Sequence, residues 1–193
     1  MNRICVFCGS NDGADPVYLE TAARVGAFLA ANSIELVYGG GRVGLMGRVA
    51  DACLAAGGRV IGAIPEALAT REVAHQGLTE LHVVGSMHER KALMSELSDG
   101  FIALPGGFGT FEELCEIITW AQLGIHRKPC AVLNVDGFYD PLIAMFDRAT
   151  GENFIRADHR RIVLVASEIE CLYEQMRDYQ APAIEKWIDK TEI

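Results

Sequence analysis

The chain has 193 residues, half of them hydrophobic and 22% charged, with a net charge of −9. That length can bury a sizeable core in one domain, and residues 1–193 are expected to form a single domain with a tail from about residue 180. The acidic balance argues against a nucleic-acid polymer or an anionic membrane as partner, because both demand a basic face.

No apolar run approaches the roughly 20 residues that cross a bilayer. The opening Met1-Asn2-Arg3-Ile4-Cys5-Val6-Phe7 reads as a strand, not a secretory leader, so the expected location is cytoplasmic. Strand and helix patterns then alternate along the chain. Residues 4–8 read as a strand ending at Gly9-Ser10, and Pro16 opens a helix to about residue 31. A strand at 34–38 runs into Gly39-Gly40-Gly41, followed by a helix over about 45–56 that Gly57-Gly58 closes. The third strand, 60–64, stops at Pro65. Residues 66–77 read as a loop with at most a helical turn. Strand 81–84, helix 87–97 and strand 101–104 follow. Beyond a helix to about residue 123 come strand 130–135, a helix over about 139–149 and strand 162–166. Ser167 with Glu170 reads as a capping box for a last helix to about residue 179.

Short, wholly apolar strands separated by helices fit an α/β domain with a mostly parallel sheet of about seven strands, covered on both faces. In such sheets ligands bind beyond the carboxyl ends of the strands. The turns at Gly9-Ser10, Gly39-Gly40-Gly41 and 105–110 should therefore share one rim. Cys5 and Cys8 lie three apart in a strand and so face opposite sides, which disfavours a redox or metal pair. The five histidines show no metal-binding spacing, and no G-x-S-x-G nucleophile turn occurs.

The stretch Leu104-Pro105-Gly106-Gly107-Phe108-Gly109-Thr110-Phe111-Glu112-Glu113 joins a strand to a helix start. Glycines at Gly106, Gly107 and Gly109 let a ligand approach the backbone. The free N–H groups and the dipole of a helix start form an anion site, most often for phosphate, to which Thr110 can add a hydroxyl. The acids Glu112 and Glu113 read as first-turn residues. One complements the dipole; a second beside a phosphate site needs a separate task. On the helix over 87–97, Met87, Arg90, Met94 and Leu97 form one stripe, so Arg90 should point inward toward an anion: a salt-bridge partner or a ligand phosphate. Lys91 reads alone as a solvated surface lysine, Glu72 as a solvated loop glutamate and Thr119 as a helix threonine bonded back to its own turn.

These segments together resemble the LOG ("Lonely Guy") family of cytokinin riboside 5′-monophosphate phosphoribohydrolases, also labelled lysine decarboxylases. The likeness covers most of the chain: Cys5 to Ser10, Val37 to Gly47, Met87-His88-Glu89-Arg90-Lys91, Pro105 to Glu113, Ile118 to His126 and Leu133 to Tyr139. Phe108 stands where many members have Tyr, and Phe111 where many have Leu. The resemblance implies a Rossmann-like three-layer fold, a homodimer, no metal and no organic cofactor. It implies Arg90 and Glu113 as catalytic residues, and Glu72, Arg90, Lys91, Gly107, Phe108, Gly109, Thr110, Phe111, Glu112, Glu113 and Thr119 as substrate-binding residues. The implied substrate is a nucleoside 5′-monophosphate, AMP or an N6-modified AMP, cleaved to free base and ribose 5-phosphate. The implied roles place phosphate on the 106–110 turn and set an ionised Glu113 against the ribose and the attacking water. A non-catalytic nucleotide sensor of the same fold is the alternative. Decarboxylation would need a pyridoxal Schiff-base lysine, and Lys91, Lys128, Lys186 and Lys190 lie in no recognisable cofactor context.

Overall fold

The computed structural model describes residues 1–69 and 74–183. Its strands are β1 (Arg3–Phe7), β2 (Glu35–Tyr38), β3 (Val60–Pro65), β4 (Glu80–Val84), β5 (Gly100–Ala103), β6 (Cys130–Leu133) and β7 (Val163–Ala166). Its helices are α1 (Pro16–Ala31), α2 (Gly44–Ala55), the single turn α3 (Glu66–Leu68), α4 (Met87–Leu97), α5 (Phe108–Gln122), α6 (Asp140–Gly151), the short α7 (Ala157–Arg160) and α8 (Ile169–Arg177).

The sheet has the order β4-β3-β2-β1-β5-β6-β7, and every neighbouring pair is parallel. The chain builds outward from β1 on one side, then crosses back to place β5 on the other. That reversal opens a crevice at the carboxyl ends of β1 and β5, where open α/β sheets bind ligands.

Each central strand is apolar on both faces because each face is covered. Ile4, Val6 and Cys8 pack with Val25 and Leu29 of α1, Val49 and Cys53 of α2, and Leu172 of α8. Cys5 and Phe7 pack on the other side with Met94 of α4 and Leu114 and Ile117 of α5. Cys5 and Cys8 therefore sit in different cores. Among the described residues, no group of His, Cys, Asp or Glu is arranged to hold a metal ion, and no helix is long and apolar enough to cross a membrane.

Local chemistry sets most boundaries. Asp15 accepts a bond from Val17 N at 2.9 Å and Pro16 takes the first helical position of α1. Gly57 follows α2 with φ +80°, the left-handed conformation of a glycine stop. The expected capping box at Ser167 is not formed: β7 ends at Ala166, the turn uses two residues, and Glu168 caps α8 without a side-chain bond. A reciprocal arrangement occurs at α4 instead. Ser86 accepts from Glu89 N at 3.1 Å, and Glu89 reaches back to Gly85 N at 2.7 Å. The sixth strand stops at Leu133, not 135, because Asp136 (φ 49°) turns the chain within a short 3-10 segment, Val135–Gly137.

Candidate active site

A cavity of about 680 Å³ lies over the carboxyl ends of β1, β2 and β5. The three glycine turns meet there as the sequence predicts, and they are bonded together. Gly9 N donates to Pro105 O at 3.0 Å, and Gly9 O accepts from Met46 N at 3.3 Å. Gly44 (φ +61°) lets the turn after β2 press against the turn after β1; a Cβ there would run into the Ser10–Asn11 backbone.

Helix α5 begins at Phe108, with Gly107 as an N-cap that supplies no side-chain bond. Its first internal bond is Phe111 N to Gly107 O at 3.1 Å. The preceding N–H groups, of Phe108, Gly109 and Thr110, thus open on the cavity these residues line. A Cβ on Gly107 or Gly109 would meet nothing within 4 Å. Packing inside the chain does not require glycine at either position. The bare backbone leaves a cradle for something outside the chain.

Because the helix starts at Phe108, Glu112 and Glu113 are its fifth and sixth residues, not first-turn residues. That extra turn separates their fates. Glu113 lies at the cavity wall, 8% exposed, while Glu112 turns away from it. Arg90 reaches Glu113 from α4, with Nη2 3.2 Å from Oε1. Its other terminal nitrogen contacts Met87 Sδ at 3.7 Å, and its buried Nε has no partner among the described residues. The guanidinium reaches Gly39 through Nη2, and a Cβ at that glycine would collide with it. Arg90 and Met94 are buried as the stripe predicts, but Met87, in the first turn, is exposed.

Burial pushes the Glu113 carboxyl above the ordinary glutamate range. Arg90 and Lys91 pull it back, and Glu112 and Glu116 push it further up. Cys8 also lines the cavity, and burial raises its thiol so far that it carries no thiolate at neutral pH. Tyr18 and Phe138 close the far wall, with ring centroids 6.0 Å apart; Phe111 stacks behind Phe138 at 6.3 Å. Phe108 stands on the rim, 93% exposed.

The structure thus brings Arg90, Gly106, Gly107, Phe108, Gly109, Thr110 and Glu113 to one cavity. Phe111, Glu112 and Thr119 do not line it, and Thr119 donates to Cys115 O at 2.7 Å, as a helix threonine does. Lys91 is not a solvated lysine. It is 9% exposed, with Nζ 2.5 Å from Glu112 and 2.9 Å from Glu116, because α4 and α5 cover the same face of the sheet and the two carboxylates reach across to it. Glu72 lies outside the described residues. Ser10 lines the cavity as its place on the rim predicts, but sequence reasoning missed Asn11, Asp12 and Tyr18, which line it beyond β1. Their signal was positional: they follow the central strand at the point where strand order reverses.

Comparison with known proteins follows the same lines. Residues 46–176 match the family described as "Possible lysine decarboxylase". The chain is 53% identical over 177 residues to the probable cytokinin riboside 5′-monophosphate phosphoribohydrolase LOGL1 of Oryza sativa subsp. japonica, covering 92% of this chain and 79% of that one. It is 51% identical over 178 residues to the cytokinin riboside 5′-monophosphate phosphoribohydrolase LOG7 of Arabidopsis thaliana, covering 92% and 82%. The chain belongs to the LOG family.

Of the lysines in the described residues, Lys91 is held by two carboxylates and Lys128 donates to Ser95 O at 2.7 Å; neither lines the cavity. The fold extends further than the sequence likeness. The molybdenum cofactor binding protein of Rippkaea orientalis superposes with a TM-score of 0.69 at 24% identity, over 91% of this chain and 95% of that one. The molybdenum cofactor carrier protein of Chlamydomonas reinhardtii gives 0.67 at 20%, over 92% and 98%. At that identity the likeness is one of fold alone.

Proposed function

We propose that this chain hydrolyses the N-glycosidic bond of cytokinin riboside 5′-monophosphates, releasing the free base and ribose 5-phosphate. The observation that carries the reading is a buried carboxylate, Glu113, bridged to Arg90 one turn inside an uncapped, glycine-lined helix start. The named activity of relatives about half identical over nearly the whole chain supports it.

In this reading the 5′-phosphate sits on the N–H groups of Phe108, Gly109 and Thr110, with the Thr110 hydroxyl beside it. Anchoring the phosphate holds the ribose C1′ near Glu113. Cleavage of the glycosidic bond builds positive charge on the ribose ring. The Glu113 carboxylate stabilises that charge and takes a proton from the attacking water. A carboxyl raised by burial is a stronger base than an exposed one, and Arg90 beside it opposes that rise by favouring the ionised form. The Nε of Arg90, without a partner among the described residues, offers a donor to the phosphate or to the departing base. The electron pair of the broken bond leaves with the base, which gains a proton; water supplies the new hydroxyl at C1′.

The same reading places a homodimer in the cytoplasm, acting on a small nucleotide. Two features support a covering subunit. Phe108, Glu112, Cys115 and Thr119 form an exposed stripe on α5, and α6 has no fully buried residue. Light scattering on the purified chain tests the dimer. The activity is tested by incubating the protein with AMP and with N6-isopentenyladenosine monophosphate and following base release by chromatography. Release by the native chain, and none by Glu113→Gln, is expected, and the ratio of rates ranks the two nucleotides. Binding of either nucleotide with no base released would replace the hydrolase with a sensor.

A further inference from the structure

We infer that His75 is a positioning residue: it ties the chain after β3 to helix α2 and so fixes the Gly39–Gly41 turn against which Arg90 rests, a role that builds on the phosphoribohydrolase reading. Residues 74–77 lie against the turn after β2. Gly41 and Ala74 form an isolated antiparallel bridge, and His75 N donates to Gly40 O at 2.9 Å. The His75 ring then reaches α2, with Nε2 3.0 Å from Asp51 Oδ1. Its other nitrogen, Nδ1, accepts from Gly77 N at 3.0 Å.

These bonds orient the ring. A nitrogen that accepts from a backbone N–H carries no proton, so the ring proton lies on Nε2 and points at Asp51. The Gly77 amide thus selects the tautomer that the carboxylate needs. The His75 side chain is 11% exposed and that of Asp51 65%, so the charge-assisted bond is shielded from water on one side. Neither residue lines the cavity, but the turn they hold does. Gly39 and Gly41 form part of its wall, and the missing Cβ of Gly39 leaves the space that Arg90 Nη2 occupies. A run of three glycines, with Gly40 at φ +73°, has the most conformational freedom to lose and no side chain with which to hold itself. The turn must be bare to admit Arg90, so its order has to come from backbone partners. His75 and Ala74 supply them, and the Asp51 bond anchors that pair to the helix that begins at Gly44, three residues beyond the turn.

The test combines kinetics, melting and NMR on the full chain at one fixed pH. Asp51→Ala removes the carboxylate from an exposed position on α2, where the helix preference of alanine offsets part of the lost bond, so the melting temperature should change little. Its kcat should fall about 3- to 10-fold, while KM changes less than about twofold because the cradle at α5 is untouched. His75→Gln can still donate to Asp51 and should keep kcat within about twofold of native. His75→Asn is too short to reach Asp51 and should match Asp51→Ala. The double variant Asp51→Ala/His75→Asn should be no worse than either single change. Proton–nitrogen correlation spectra of the nucleotide-free native chain should place the His75 ring proton on Nε2, and the amide signals of Gly39 and Gly41 should shift in Asp51→Ala. Unchanged kcat in Asp51→Ala would overturn the proposal, as would equal losses in His75→Gln and His75→Asn. A kcat that fell only in step with the melting temperature would reduce the contact to packing and overturn it equally. If the His75 variants do not fold, Asp51→Ala decides. If the native chain releases no base, the hydrolase reading fails, while the spectra still judge the contact: a ring proton on Nδ1, or unmoved Gly39 and Gly41 amides, refutes it.

Discussion

Helix α4 begins on a closed set of bonds, and helix α5 begins on an open one. At α4, Ser86 and Glu89 satisfy backbone donors on both sides of the cap. At α5, Gly107 has no side chain to cap the helix, and Gly107 and Gly109 leave unfilled space beside the free N–H groups. A glycine at the N-cap costs only about a few tenths of a kcal/mol relative to a good side-chain cap. The two starts flank the same pair of side chains, Arg90 on α4 and Glu113 on α5. The rigid start fixes the arginine in place. In the proposed reaction the open start takes the group that the arginine and the carboxylate act upon.

The largest break in this pairing is Glu113→Gln. It keeps the shape of the cavity wall and removes the base. Turnover should fall by about 10²- to 10⁴-fold while nucleotide affinity changes by no more than a few-fold. Steady-state kinetics with calorimetric binding reads both numbers, and near-native turnover would remove Glu113 from the chemistry. Next in size is Gly109→Ala. Nothing in the chain lies within 4 Å of the added methyl, and alanine favours the helix. Stability should rise by a few tenths to about 1 kcal/mol. Nucleotide affinity should drop at least about tenfold, since each 1.4 kcal/mol of lost cradle contact is that factor. Thermal melts and titration calorimetry separate the two signs. A variant that bound normally would show that the phosphate sits elsewhere. Ser86→Ala is smaller and opposite in kind: about 1 kcal/mol of stability lost with binding retained, because the lost bond belongs to the closed start.

The same contrast explains what could be read before the structure. Fully covered strands leave an unambiguous trace, runs such as Ile102-Ala103-Leu104 with no polar interruption, and the rim follows once the strands are parallel. The stripe through Arg90 and Met94 was equally legible, because burial along a single helix is periodic. Lys91 was not. Its burial depends on α4 and α5 covering the same face of the sheet, and its partners are 21 and 25 residues away. Glu112 and Glu113 were misplaced by one turn because Phe108 and Gly109, read as turn residues, are already helical. Ser167 had the composition of a cap but stands one residue too early, since the cap belongs to Glu168. Composition names the chemistry a residue can do. Position within a turn, which decides whether it does it, depends on where the neighbouring strand lets the helix begin.

The finest test of the open start is its dependence on pH. Burial raises the Glu113 carboxyl in the folded chain, more than Arg90 and Lys91 lower it. The folded state therefore holds that proton more tightly than the unfolded chain does. The associated stability is fully present below the unfolded glutamate value of about 4.3 and is lost as pH rises through the folded value. Glu35 acts in the opposite direction. Its hydrogen bond to Arg3 outweighs the cost of burial, its bond to Arg59 adds to it, and its carboxyl is lowered; that contribution is present above the unfolded value and lost as pH falls through the folded one. Comparing melting temperatures of the native chain, Glu113→Gln and Glu35→Gln between about pH 4 and 8 separates the two. Relative to native, Glu113→Gln should gain stability as pH rises, and Glu35→Gln should lose it. A Glu113→Gln difference that stayed flat across that range would mean that the open start costs nothing electrostatically, and that Arg90 compensates the buried carboxylate in full.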